Sequence, residues 1–177
     1  MLSRLLSSLR DRLESPEDQA RRLGVTIGRR CVVSSRRFGS EPYLVELGDH
    51  VHVTTGVRFV THDGAVWVGR DEDPTFDVYG RIKIGDNTYL GNDALILPGV
   101  TIGRDCVVGA CSVVTKSIPD GTVVAGNPAR FICSTADYLA RMRPFNAHTK
   151  GMARDERDRA VKAGGVAMIV RRMLGRG

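Results

Sequence analysis

The stretch Ile84–Pro119 reads, in sixes, IGDNTY LGNDAL ILPGVT IGRDCV VGACSV VTKSIP. Its first position is always aliphatic (Ile84, Leu90, Ile96, Ile102, Val108, Val114), and its fifth is small or β-branched (Thr88, Ala94, Val100, Cys106, Ser112, Ile118). A helix would space its apolar residues by three and four, and a long strand would alternate by two, so neither explains a period of six. A unit made of a short strand and a bend can coil instead, three units to a triangular turn. Like residues then stack in columns, with the first positions filling the interior and the fifth fitting beside them. The fourth position often holds Asn87, Asp93, Gly99 or Asp105, types that tolerate the left-handed backbone of a tight corner. Successive turns pair as parallel strands about 4.8 Å apart. The pattern predicts an all-β solenoid.

Working outward, the unit returns as LGDHVH and VTTGVR from Leu47, as FVTHDG from Phe59 and, earlier, as IGRRCV from Ile27. Charges, Pro74 and Gly80 break it from about Ala65 to Arg81, which predicts a loop extruded from the coil. Leu2, Leu5, Leu6, Leu9 and Leu13 follow helical spacing, Ser15-Pro16-Glu17-Asp18 resembles the cap of a second short helix that Gly24 can end, and Ser134 and Asp137 suit the start of another after the coil. Helices therefore bracket the solenoid, whose ends need cover. The domain reading is a helical segment over 1–24, the coil with its loop over 25–133 and a helical, basic tail over 134–177.

At 177 residues the chain is long enough for one well-buried domain. Its net charge of +6 comes largely from arginines before residue 40 and after residue 140, which argues against a basic groove through the fold. Without zinc-finger spacing or interleaved aromatic and basic residues, nucleic acid is not an expected partner. Cys31, Cys106, Cys111 and Cys133 form no CxxC pair, which fits reduced thiols in a cytosol. No apolar run approaches the roughly 20 residues needed to span a bilayer, and the N-terminus lacks a continuous signal-peptide core. The expectation is a cytoplasmic protein. A helical apolar stripe of Val166, Ile169, Val170, Met173 and Leu174 beside Arg171, Arg172 and Arg176 adds the option of peripheral contact with an anionic membrane, against the alternative that it packs on its own protein.

The repeat, and above all ILPGVTIGRDCVVGACSVVTKSIPDGTVVAGNPARFI from Ile96 to Ile132, resembles the left-handed parallel β-helix acyltransferases of hexapeptide repeats, in particular the acetyl-CoA-dependent O-acetyltransferases of the maltose, galactoside, xenobiotic and surface-polysaccharide type. The resemblance implies a homotrimer with active sites between neighbouring coils, one histidine as general base, and coenzyme A lying along the groove between subunits. It makes a saccharide hydroxyl, in surface polysaccharide synthesis, the expected acceptor, and requires no metal. Because the repeat also occurs in non-enzymatic proteins, a catalytically inert assembly protein is the alternative.

His62 holds the fourth position of Phe59–Gly64, so it is expected at a corner, projecting outwards, where the loop begins. An acceptor hydroxyl is a poor nucleophile, and an imidazole, ordinarily titrating near pH 6.5, can take its proton. A backbone N–H would stabilise the oxyanion that forms on attack at the thioester. Asp63 or a backbone carbonyl would fix the imidazole tautomer. The bland reading makes His62 a tolerated corner residue, since histidine is enriched at positive φ. His50 and His52 read as surface-facing. A zinc site like that of the γ-class carbonic anhydrases would need three histidines, and the spacing of His50, His52 and His62 does not match that family.

For the coenzyme, Gly109 and Ala110 keep a corner slim, Lys116 and Arg130 carry charges suited to phosphates, and Pro128 flanks the adenine end by resemblance. Cys111 stands where relatives commonly have glycine, and Asn92 where they are often bulkier. In the loop, Trp67 and Tyr79 among Asp71, Glu72 and Asp73 suit a sugar face and its hydroxyls, or equally a contact between subunits.

Overall fold

The computed structural model describes residues 13–170. The chain divides into one unit ending at Thr135 and another beginning at Ala136. In chain order the strands are β1 (Thr26–Ile27), β2 (Val32–Val33), β3 (Val45–Leu47), β4 (His52–Val53), β5 (Arg58–Phe59), β6 (Ile82–Ile84), β7 (Tyr89–Leu90), β8 (Leu95–Ile96), β9 (Thr101–Ile102), β10 (Val107–Val108), β11 (Val113–Val114), β12 (Thr122–Ala125) and β13 (Arg130–Ser134).

They pair into three sheets, visited in rotation. The first runs β1-β3-β6-β9, the second β13-β12-β10-β7-β4-β2 and the third β11-β8-β5. All pairings are parallel except that of β12 with β13, which closes the end of the second sheet. In the regular part a strand meets the one eighteen residues on, as in Lys83↔Thr101, Tyr89↔Val107 and Leu95↔Val113. Two departures lengthen the period. Thr26 faces Glu46, twenty residues on, and Val45 faces Ile82, thirty-seven on, so the second gap carries the extruded loop.

The repeat's columns are the core. Ile27, Leu47, Ile84 and Ile102 stack in register on the first sheet, Val33, Val53, Leu90, Val108 and Val124 on the second, and Phe59, Ile96 and Val114 on the third, all buried. Phe38 extends the third column by stacking on Phe59, with centroids 5.0 Å apart. All six fifth positions of Ile84–Pro119 are buried beside them. Each large aliphatic withdrawn from water contributes about 1.5–3 kcal/mol.

The corners follow the fourth position. Arg30, His50, Asn87 and Asp105 take positive φ along one edge, and Gly56, Asp93 and Cys111 do so along the next. At the third edge Gly99 conforms, but His62 does not take positive φ. The bland reading of His62 as a left-handed corner residue is therefore corrected: it stands on the edge between two sheets, but its backbone runs into the base of the loop, where it bridges Tyr79 antiparallel.

Before the coil, α1 (Pro16–Arg22) begins where Ser15 Oγ accepts the Asp18 N–H at 3.1 Å, and Gly24, at φ +99°, follows its end. The earlier helix expected through Leu2, Leu5, Leu6 and Leu9 lies outside the described residues. Directly after Ser134 comes α2 (Thr135–Met142), with Asp137 in its first turn. Helix α3 (Arg154–Lys162) carries i,i+4 pairs of Arg154 with Asp158 and Arg159 with Asp155. The apolar stripe expected from Val166 is not helical as far as Val170, because Gly164, at φ +71°, ends the helical run. Its remaining members, Met173 and Leu174 with Arg171, Arg172 and Arg176, lie outside the described residues. Among the described residues no helix is long and apolar enough to cross a membrane.

Candidate functional site

The site is built where both departures from the period meet, on the edge between the third and first sheets. After β5 the chain runs through buried Thr61 to His62 and leaves the coil. It returns at Val78–Gly80, where Asp63 N–H donates to Val78 O at 2.8 Å and Gly80 N–H to Thr61 O at 2.9 Å. This neck sets the Tyr79 ring 6.1 Å from the imidazole.

The lengthened turn before it supplies the partners. Gly39, at φ +74°, has no side chain because a Cβ there would collide with the Thr61 hydroxyl. That close approach brings Ser40 and Glu41 against His62. Thr61 Oγ1–H donates to Glu41 Oε2 at 2.6 Å, and the same carboxylate oxygen lies 3.2 Å from His62 Nδ1, with Ser40 Oγ 3.1 Å from that nitrogen. The Thr61 hydrogen bond holds the Glu41 carboxyl below its ordinary range, with His62 and Ser40 assisting and burial opposing. An ionised carboxylate only accepts, so Nδ1 carries the proton and Nε2 presents a lone pair. The imidazole side chain is 38% exposed, enough for Nε2 to meet a substrate.

Asp63 does not take the position expected for the orienting group. Its Oδ1 accepts the Ala65 N–H at 3.0 Å and caps the 3-10 helix Gly64–Gly69. The reason is local: a carboxylate at the mouth of a tight turn satisfies the turn's own free N–H. Glu41 was missed because it precedes His62 by 21 residues and reaches it only through the stacking of turns. The available signal was the failure of the repeat between Ser35 and Leu44, just one turn below the histidine.

Within the loop, the Arg70 guanidinium lies 5.7 Å from the Trp67 ring centroid and 3.5 Å from Asp77, and its Nε donates to Phe76 O. Tyr79 OH donates to Asp77 at 2.6 Å, which holds that carboxyl down and pushes the phenol up. Trp67 remains 70% exposed and Tyr79 55%. The loop is thus internally braced, with both aromatic rings open on one side.

The residues expected at the coenzyme are not all together. Lys116 and Arg130 line one cleft of about 400 Å³, beside Ile118, Pro119 and Phe131. Lys116 stands on the edge that carries His62, since Thr115–Ser117 lies above Leu97–Gly99, which lies above the loop neck. Gly109 and Ala110 form a corner on another edge. A Cβ on Gly109 would lie 2.9 Å from that of Ala125, so its slimness serves the next turn of its own chain. Pro128 follows a cis peptide in the turn between β12 and β13.

His50 and His52 are engaged elsewhere. His50 Nδ1 is 2.7 Å from Asn87 Oδ1, and Asn87 Nδ2 donates onward to Asp105, a ladder up one corner. His52 meets Tyr89 edge-on at 5.3 Å. Among the described residues no three His, Cys, Asp or Glu side chains cluster as metal ligands.

Comparison with known proteins fits this geometry. Residues 81–116 match the family described as bacterial transferase hexapeptide (six repeats). The chain is 46% identical to protein CapG of Staphylococcus aureus over 144 residues, which is 80% of this chain and 84% of CapG. A putative acetyltransferase of S. aureus strain MRSA252 is 49% identical, but only over 57 residues, 32% of this chain and 29% of that one. Among solved structures, a maltose O-acetyltransferase of Clostridium difficile 630 superposes with TM-score 0.53 at 29% identity, covering 67% of this chain and 73% of that one. A hexapeptide-repeat acetyltransferase of Vibrio cholerae, solved with acetyl coenzyme A, gives TM-score 0.57 at 29% identity over 63% and 61%. With rotating parallel sheets, the repeat and a likeness to CapG over most of both chains, this chain belongs to the bacterial hexapeptide-repeat transferases.

Proposed function

We propose that the chain is an acetyl-CoA-dependent O-acetyltransferase acting on a saccharide hydroxyl in surface polysaccharide synthesis, working in the cytoplasm as a homotrimer of left-handed parallel β-helices. The observation that carries this reading is the Glu41–His62 pair: a carboxylate that fixes the proton on Nδ1 and leaves Nε2 as a base. The family membership and the acetyl coenzyme A bound to the Vibrio relative support the donor. The acetyl thioester supplies the electrophilic carbonyl; His62 Nε2 removes the acceptor's hydroxyl proton as the oxygen attacks, and later returns it to the departing thiolate. Glu41 and Ser40 hold the ring and balance the charge on the imidazolium. Lys116 and Arg130, sharing one cleft, suit the coenzyme phosphates, with Pro128 nearby in sequence and Gly109 and Ala110 shaping a corner. Trp67 and Tyr79 offer the sugar a ring face beside the base. The role of Asp63 becomes that of bracing the loop.

The test is acetyl transfer from acetyl-CoA across a panel of sugars. His62→Ala should cost roughly 10²–10⁴-fold. An unchanged rate on an active acceptor rejects the base assigned here, and failure of the intact protein to bind coenzyme A favours an inert assembly protein.

A further inference from the structure

The outer face of the first sheet carries a groove that none of the assignments above uses. Its floor is the register row Thr26, Glu46, Lys83 and Thr101, side chains on neighbouring strands and therefore about 4.8 Å apart. With Tyr43 and Arg81 these residues enclose about 260 Å³. Lys83 Nζ lies 3.0 Å from Glu46, so those two charges offset one another. Tyr43 is 62% exposed.

Arg81 differs from two arginines of the neighbouring edge. Arg29 pairs with Asp49 and Arg104 with Asp120, whereas no described residue gives the Arg81 guanidinium an ion pair or hydrogen bond. The groove therefore has one uncompensated cation, an open aromatic ring and two free hydroxyl-bearing side chains. It also adjoins the base. Tyr43 is two residues beyond Glu41, and Arg81 follows Gly80, whose N–H bonds Thr61 O.

We propose that this groove binds an anionic sugar unit of the acceptor, with Arg81 taking its carboxylate or phosphate and Tyr43 lying against the ring; this rests on the reading of the chain as a saccharide acetyltransferase. A guanidinium fork matches either anion with two parallel N–H donors, and a ring flanked by hydroxyls and a carboxylate suits a polyol. A neutral sugar would leave Arg81 without a partner, and the anion sets the preference.

The test is calorimetric titration of the full chain with uronic acids, hexose 1-phosphates and their parent hexoses. One anionic class should bind about tenfold tighter than its neutral parent, and which class does so identifies the anion. Arg81→Gln should erase that margin and Arg81→Lys keep part of it, with coenzyme A affinity and circular dichroism unchanged in both. Equal binding of neutral and anionic sugars, no binding of any, or a margin that survives in a folded Arg81→Gln overturns the proposal. The two readings separate by kinetics. Acetyl transfer with equal kcat/KM for charged and neutral acceptors removes the groove and leaves the transferase. Arg81-dependent binding of an anionic sugar, without transfer to any acceptor, does the reverse.

Discussion

Replacing Glu41 separates its two contributions to His62, because a single oxygen, Oε2, serves both Thr61 Oγ1–H at 2.6 Å and His62 Nδ1 at 3.2 Å. Glu41→Gln can place its amide oxygen at that point, accept from both and keep the tautomer, losing only the charge. Hydrogen bonds to charged groups contribute about 1.5–3 kcal/mol and neutral ones about 0.5–1.5, so the difference is about 1–1.5 kcal/mol. At about 1.4 kcal/mol per decade, kcat should fall roughly five- to tenfold. Glu41→Ala leaves only Ser40 Oγ, 3.1 Å away, beside Nδ1. A hydroxyl can donate or accept, so the tautomer is no longer specified, and the full 1.5–3 kcal/mol is lost, roughly 10–150-fold in kcat. In both variants KM for donor and acceptor should stay within about twofold, since Glu41 acts through His62 rather than on a substrate. The assay is steady-state acetyl transfer, with thermal melts to confirm folding. A Glu41→Ala enzyme as fast as Glu41→Gln, or one altered only in KM, would refute the positioning role.

Cys111→Gly should raise stability by about 1 kcal/mol in chemical denaturation, because Cys111 sits at φ +57°, where a Cβ is unfavourable and glycine is not. Asp63→Ala should cost about 1 kcal/mol of stability through the lost cap on Ala65 N–H, while kcat falls by less than about tenfold; a larger loss would return Asp63 to the catalytic group. The Glu41 carboxyl is held down in the fold, first by Thr61, so it binds protons less readily than in the unfolded chain. Its stabilisation is complete above the ordinary carboxylate value of about 4.3 and is lost as pH falls through the lower folded value. The stability gap between wild type and Glu41→Gln should therefore shrink on acidification from neutral pH, and a gap that widens contradicts the assignment.

The repeat made the coil readable because column position is a local property. Whether Ile96 or Cys106 is buried depends only on its place in six, and both are. The αL corners were readable for the same reason, as Asn87 and Asp105 show. The Ser15 cap was equally local. Three features were not. The pairing of Glu41 with His62 depends on which turn lies below which, and that requires the register Arg37↔Arg58. Trp67 is adjacent in sequence to residues that suggest a binding surface, but Arg70, which lies over its ring, is placed there by Asp77 and the Phe76 carbonyl from the far side of the loop. The stripe from Val166 has helical spacing but directly follows Gly164 and Gly165. As far as Val170 it is not helical, because spacing alone does not offset the cost of starting a helix.

The irregular turns also account for the position of the candidate site on one edge. An unbroken hexapeptide coil offers every corner a small or left-handed residue and every turn an identical partner, which leaves no place for a group with an unusual neighbour. Here two departures fall on the edge between the third and first sheets. The extra residues of the first turn carry Ser40 and Glu41 up to His62, and the later insertion returns with Tyr79 beside it. Two fourth positions on this edge, His62 and Ser117, do not take positive φ, and at His62 the backbone leaves for the loop instead of turning. The ladders of the two flanking sheets, Phe59↔Ile96 and Ile84↔Ile102, keep regular pairing on either side of the edge while its own sequence is irregular. Regular columns thus fix the positions of a few side chains that the repeat itself could not have placed together, which is the division of labour a preorganised site needs.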